Sequence, residues 1–255
     1  MIANVKQLFR GEFIFPADGL DANLDRTLHT LERDQVIKIT RGADDSNNME
    51  WIGLSDLERE KGRENFDFYC FLIWPFIEGF WLGAVSLIML TPPVEASGEV
   101  WLDMKKVQDQ AQVLGKTLYH QGDLSYFEAV NKETLKNAYQ RFEEEGIIIV
   151  AKSREAKGVA TVRLADEWRP KRDAKTRNLV AQGKLWDFSE RISQSRREGK
   201  NRRDGATVKT RVVDLVDLVG KQLFDAAAAQ REHPSGDFAS SKKRRRKIVQ
   251  PQAKL

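Results

Sequence analysis

FYCFLIWPFIEGFWLGAVSLIML, residues 68–90, is the stretch on which the reading of the fold turns. Its 23 residues hold one charge, Glu78, and one proline, Pro75. As a single helix it would run about 35 Å at roughly 1.5 Å per residue, longer than the roughly 30 Å of a bilayer's hydrocarbon core. Three details disfavour a plain span. Glu78 falls one residue from the middle, where an acidic side chain costs about 2.5–3.5 kcal/mol on insertion. Pro75 removes a helix hydrogen bond and should kink or end the helix near Trp74. Tyr69, Trp74 and Trp81 are spread through the run instead of forming belts at both ends. The favoured reading is a buried helical hairpin in a large core. A membrane-touching or re-entrant segment and a true span are the alternatives.

Outward from this run, two similar patterns flank it. Before it, DANLDRTLHTLERDQVIKIT places Leu24, Leu28 and Leu31 at i, i+4 and i+7, one helical face. Asp21 is the expected N-cap, and the helix should stop near Gln35. Val36, Ile37 and Ile39 favour a strand. RGADDSNN, 41–48, is turn chemistry, and MEWIGL returns as a second strand. After the run, Leu135, Tyr139 and Phe142 repeat the leucine spacing at an offset of 111 residues. Gly146 ends that helix as Gln35 ends the first, Ile147–Val150 match Val36–Ile39, and SREAKG turns into VATVRL. This is a structural pseudo-repeat, with too few copies for a solenoid. Between the units, 101–120 reads as another amphipathic helix and 123–130 as a short one. Residues 2–15 read as a short helix and an extended FIF stretch.

The net charge of +4 hides a division. Residues 169–255 hold 23 Lys and Arg against 10 Asp and Glu, while residues 1–168 hold 19 against 28. The front is an acidic folded domain, 1–168, and the back a basic region, 169–255. A basic region attracts nucleic acid, anionic lipid or an acidic receptor without specifying which. Within it, 184–198 reads as a weak helix and 207–229 as a better one, with Val212, Leu215, Val219 and Leu223 on one face. Residues 233–255 are polar, basic and expected to be disordered. The single cysteine, Cys70, excludes an internal disulfide and suggests a reducing compartment. Its apolar setting raises a thiol pKa and disfavours reactivity.

No catalytic, metal-binding or cofactor-binding constellation is legible. Three scattered histidines and one cysteine give no metal-ligand spacing, and no nucleophile elbow, P-loop or dinucleotide fingerprint occurs. The run 242–247, KKRRRK, has the composition of a nuclear-localisation or nucleic-acid patch. The ending Ala253-Lys254-Leu255 fits the type-1 peroxisomal import signal: a small residue, a cation and a terminal leucine with its free carboxylate. A peroxisomal import receptor is the partner this implies.

The order FRGEFIFPADGLDANLDRTLHTLERDQVI, then FYCFLIWPFIEGFWLGAVSLIML, then NKETLKNAYQRFEEEGIIIV resembles the C-terminal domain of the glycerol-3-phosphate and dihydroxyacetone-phosphate acyltransferases, over roughly residues 1–165. The terminal A-K-L points toward the peroxisomal dihydroxyacetone-phosphate branch, which starts ether-lipid synthesis. The resemblance implies acyl-CoA as the family's substrate and no bound cofactor. It implies that catalysis belongs to an N-terminal acyltransferase domain whose His/Asp motif this chain does not show. His29 and Asp34 spell H-x4-D, but residues five apart on a helix point roughly 140° away from each other, and Leu28 stands where the family has Asn. They read as solvated helix. The resemblance makes Trp74, Phe76, Phe80 and Trp81 candidate contacts with the acyltransferase catalytic domain or a membrane surface.

The expectation is therefore a mainly helical α+β domain, with two helix–hairpin units flanking a long hydrophobic helical segment. It would act as scaffold, membrane contact and peroxisomal import handle for a glycerolipid acyltransferase. The rival is a winged-helix-like nucleic-acid-binding protein of the nucleus, since helix, short helix, helix and hairpin over 103–164 has that order. Glu133, Glu143, Glu144 and Glu145 on the would-be recognition helix disfavour phosphate contacts. A pure adaptor is the third reading.

Overall fold

The computed structural model describes residues 19–41, 50–95, 99–152, 159–197 and 205–232. The sequence readings at 2–15, 42–48, 153–158, 242–247 and 253–255 lie outside the described residues. Described segments form a mainly helical α+β fold with two small antiparallel sheets.

The first unit is helix α1 (Gly19–Arg33), strands β1 (Ile37–Arg41) and β2 (Glu50–Leu54), and short helix α2 (Asp56–Glu60). Asp21 lies inside the first turn of α1 and not at its N-cap, because the helix starts earlier, at Gly19. There it still faces the positive end of the helix dipole. The chain leaves α1 through Gln35, whose φ of 57° is left-handed. The Val36 N–H closes the end by donating to the Leu31 carbonyl at 2.9 Å, the six-to-one bond of a Schellman motif.

Helix α3 (Glu64–Ser86) follows, continued by a 3-10 turn at Leu87–Leu90. The expected hairpin does not form: one helix runs through Pro75. Proline cannot donate to the carbonyl four residues back, that of Phe71. Phe71 is exposed, so the lost bond falls on the solvated stretch of the helix and not in the packed one. Two buried carboxylates hold α3 at either end of that stretch. Glu58 accepts from Asn65 Nδ2 at 2.8 Å and from the Phe66 N–H at 3.2 Å, satisfying a first-turn donor. Glu78 accepts from the Ser125 and Tyr126 N–H groups at 2.8 and 3.0 Å, both through Oε2.

The second unit comprises strand β3 (Leu102–Asp103), helix α4 (Met104–His120), a 3-10 turn at Phe127–Val130, helix α5 (Lys132–Glu144), and strands β4 (Ile148–Lys152) and β5 (Ala160–Leu164). Asp103 caps α4 by accepting from the Lys105 and Lys106 N–H groups, and Asn131 caps α5 through the Glu133 N–H. The duplication expected from the sequence holds at atomic detail. Gly146, with φ of 69°, occupies the place of Gln35. Ile147 N–H donates to the Phe142 carbonyl at 2.9 Å, as Val36 does to Leu31. In the hairpins, Ile37↔Leu54 and Ile39↔Ile52 correspond to Ile148↔Leu164 and Val150↔Val162. One difference remains. β5 is paired on both sides, in the order β3-β5-β4, whereas β2 pairs with β1 alone among the described strands.

Helices α6 (Lys184–Arg197) and α7 (Gly205–Glu232) lie in the basic region of the sequence. Leu185, Ile192, Val212, Val216 and Phe224 from them join the same buried cluster as the inner half of α3. α6 packs along α3 and α7 along the 3-10 turn that ends it. The approach of α7 is close: a Cβ on Gly220 would lie 2.8 Å from the Met89 carbonyl oxygen. Arg172 locks this corner. It pairs with Asp217 at 2.7 Å and donates to the Pro92 carbonyl at 3.1 Å.

Candidate contact surface on the central helix

α3 divides along its length. From Ile77 to Ser86 every residue is buried. Gly79 and Gly83 make this possible: a Cβ at Gly79 would sit 2.6 Å from Thr134 Cγ2, and one at Gly83 would sit 3.1 Å from Ala138 Cβ. A side chain at Gly79 would force Thr134 to shift and one at Gly83 would crowd Ala138 and Phe142, so α5 approaches α3 closely where α3 carries glycine. Ser86 adds a buried hydroxyl pair with Tyr139 at 2.7 Å, and burial pushes the Tyr139 phenol well above its usual range.

The outer half is different. Phe68, Tyr69, Phe71, Leu72 and Ile73 are exposed, Phe68 to 58% and Phe71 to 54%. At about 100° per residue they cover an arc of roughly 200° over two turns. Contiguous exposed apolar surface of this kind is uncommon on a monomer and marks an interaction site. Aromatic packing stiffens it: Phe71 meets Tyr126 edge-on at 5.3 Å, and Phe68 meets Tyr69 at 5.7 Å. Burial, with Glu78 nearby, raises the Tyr126 phenol pKa. Arg63, paired with Asp67 at 2.9 Å, and Glu64 sit where the helix begins.

Of the residues singled out from sequence, Trp74 and Phe76 are half-buried at the junction of the two halves. Phe80 and Trp81 are buried inside this chain's own core. Sequence reasoning missed Phe68, Tyr69, Phe71, Leu72 and Ile73 as the exposed set. The signal was Glu78-Gly79 with Gly83 four residues on, which marks the inner half as the packed one. His29 is exposed and faces Glu32 at 4.0 Å, while Asp34 meets Arg33 at 3.2 Å beyond the helix end. The two do not converge. Among the described residues no three His, Cys, Asp or Glu side chains gather to hold a metal.

The second unit has the winged-helix order, but its α5 does not present a basic face. Lys132 pairs with Asp109, Lys136 with Glu133, and Arg141 with both Glu144 and Glu145. Cations already paired release few counterions from a nucleic acid.

Among the described residues one helix, Glu64–Leu90, is long and apolar enough to cross a membrane, and 67% of its most apolar window is buried in the fold. The structure therefore defines a class: a duplicated helix–hairpin domain built on an apolar helix whose inner part is core and whose outer part is surface. Residues 1–151 match the model of the glycerol-3-phosphate acyltransferase C-terminal region, and the chain belongs to that family. The match takes in α1 to most of β4, so β5, α6 and α7 lie beyond it. No curated protein and no solved structure matches the chain.

Proposed function

We propose that this chain acts as a non-catalytic scaffold and membrane-contact domain for acyl-CoA-dependent acylation of glycerol 3-phosphate or dihydroxyacetone phosphate, in glycerolipid or ether-lipid synthesis. The observation that carries this reading is the exposed outer half of α3, on a chain of the acyltransferase C-terminal-region family. An apolar arc with aromatic residues, bordered by charges of both signs, suits insertion of two helical turns at the headgroup–acyl boundary. Ala253-Lys254-Leu255 is the import handle that brings the domain to the peroxisome, through its receptor.

Flotation with phosphatidylcholine vesicles tests the contact. The purified chain is expected to float. Replacing Phe68 and Leu72 with serine removes on the order of 3–5 kcal/mol of apolar transfer, enough to lower partitioning at least about a hundredfold. Both residues are exposed, so the variant should keep its fold. Equal flotation of the two proteins refutes the membrane role. Turnover of acyl-CoA and dihydroxyacetone phosphate by the purified chain refutes the non-catalytic role. A fluorescent fusion lacking residues 253–255 that still reaches peroxisomes refutes the import role.

A further inference from the structure

The exposed stretch of α3 has a neighbour in the second unit. Phe71 and Glu78 are seven residues apart, which at about 100° per residue puts them within roughly 20° of each other around the helix. The chain that Glu78 holds by the Ser125 and Tyr126 N–H groups therefore runs alongside Phe71, and the Tyr126 ring reaches Phe71 edge-on at 5.3 Å. Tyr126 has extended backbone, with φ of −122° and ψ of 125°. Successive side chains of extended chain leave on opposite sides, so Tyr126 turns toward α3 and Phe127 turns away from it. Phe127 is 51% exposed. Its ring meets Tyr119 at 5.3 Å, and Tyr119 packs against the core.

The segment is tied down at both ends. α4 gives way to it at Gly122, whose φ of 76° is left-handed, and the Asp123 N–H donates to the Leu118 carbonyl at 2.8 Å. The buried Asp123 carboxylate accepts from Arg211 of α7. Beyond Phe127, Ala129 and Val130 are buried, and Gln112 donates to the Val130 carbonyl at 3.0 Å. Phe127 is thus a large apolar side chain on a fixed backbone, and little ordering remains to oppose its binding.

We infer that Phe127 is a second anchor of the membrane contact. The surface that meets lipid runs from Phe68 and Leu72 across Phe71 and Tyr126 to Phe127, so α3 and the second unit enter the headgroup–acyl boundary together. This rests on the membrane role proposed for α3 and adds a second element to it, which fixes the posture of the domain on the bilayer. Phe127 is bordered by His120 and Glu128, both exposed, and an apolar ring among polar neighbours suits that boundary. A phospholipid bilayer is the occupant because the ring continues the α3 surface through the Phe71–Tyr126 contact, and a fluid surface receives side chains from two elements at once.

The test is flotation of the full chain with phosphatidylcholine vesicles. Phe127→Ser should lower partitioning about five- to tenfold, the share of a phenylalanine's transfer that a half-exposed ring can still contribute. Phe127→Leu keeps most of the apolar area and should stay within about twofold of the parent. Leu218→Ser is the control and should match the parent. Leu218 is 55% exposed but lies on α7 about 10 Å along the helix from Arg211, beside the Asp217 that Arg172 holds. Hydrogen exchange of the unaltered chain asks the same question without a variant: vesicles should slow exchange over 125–128 as well as over 68–73. If the parent floats and Phe127→Ser floats equally, if Phe127→Leu falls as far as Phe127→Ser, if Leu218→Ser falls as far, or if exchange over 125–128 is unchanged, the second anchor is refuted and the α3 contact stands. A dimer in analytical ultracentrifugation that Phe127→Ser dissolves assigns the ring to a second copy and also refutes it. A parent that does not float refutes both.

Discussion

Glu78 offers the sharpest test of how α3 is held. Its carboxylate is buried and accepts two backbone N–H groups, from Ser125 and Tyr126, at 2.8 and 3.0 Å. These bonds fix the chain between α4 and the 3-10 turn Phe127–Val130 against the middle of α3. Glu78→Ala removes the acceptor from both donors. Each charged-group bond is worth about 1.5–3 kcal/mol, and the donors left behind carry desolvation costs of about 1–3 kcal/mol each. Part of this is recovered by water entering the vacated space, so the net loss is expected at about 3–5 kcal/mol. Glu78→Gln is the informative partner. Both bonds go to a single oxygen, and an amide retains one carbonyl oxygen of similar position. Its loss should be about 1–2 kcal/mol, the difference between charged and neutral acceptors. Urea titration followed by tryptophan fluorescence measures both. With a slope of about 2–3 kcal/mol per molar, the alanine midpoint should fall by roughly 1–2 M and the glutamine midpoint by roughly half a molar. An alanine variant within about 1 kcal/mol of the parent, or a glutamine variant as damaged as alanine, would refute the reasoning.

Four further outcomes follow from the packing and the backbone. Arg172→Ala should cost about 1.5–3 kcal/mol, because it removes one of the two cations that pair with the buried Asp217 carboxylate and leaves Lys221 at 2.8 Å as the other, and hydrogen exchange should show α7 opening first. Burial raises the Asp217 pKa, but hydrogen bonds from Arg172 and Lys221 more than offset this and hold it below 3.8. Its folded pKa is therefore depressed, so its contribution is full above the unfolded value of about 3.9. It is lost as pH falls through the folded value, and α7 should loosen in acid below about pH 4. Gly220→Ala, whose methyl would meet the Met89 backbone at 2.8 Å, should destabilise by about 1–3 kcal/mol in the same urea assay. Gln35→Gly, matching Gly146 at a left-handed position, should stabilise by about 0.5–1 kcal/mol, read as a rise in melting temperature.

The duplication was legible in the sequence because helix spacing, a helix-ending residue and a β-branched run recur together, and each is a local signal. Leu24, Leu28 and Leu31 against Leu135, Tyr139 and Phe142 needed no tertiary information. The continuity of α3 was not legible. Proline is a local signal for a break, and only the exposure of Phe71, a tertiary fact, makes the lost hydrogen bond tolerable there. Phe80 and Trp81 looked the same as Phe68 and Phe71 by hydrophobicity, and what separates them is the glycines that draw α5 onto one half of the helix. The Arg172 corner was also hidden: EWRPKRDAKTRN reads as a solvated linker, and nothing local marks which of its cations meets Asp217, 45 residues away.

α3 sorts its apolar side chains lengthwise, with a seam near Trp74–Phe76, instead of around its circumference. Phe71 and Glu78 are coupled across the seam through Tyr126, whose ring meets Phe71 and whose N–H Glu78 holds, but Phe68, Tyr69 and Leu72 lie farther out, and the effects of substituting them should sum with those at Gly79 and Gly83. Adhesiveness can accordingly drift or be engineered at Phe68, Tyr69 and Leu72 while the folding free energy stays where Gly79 and Gly83 hold it.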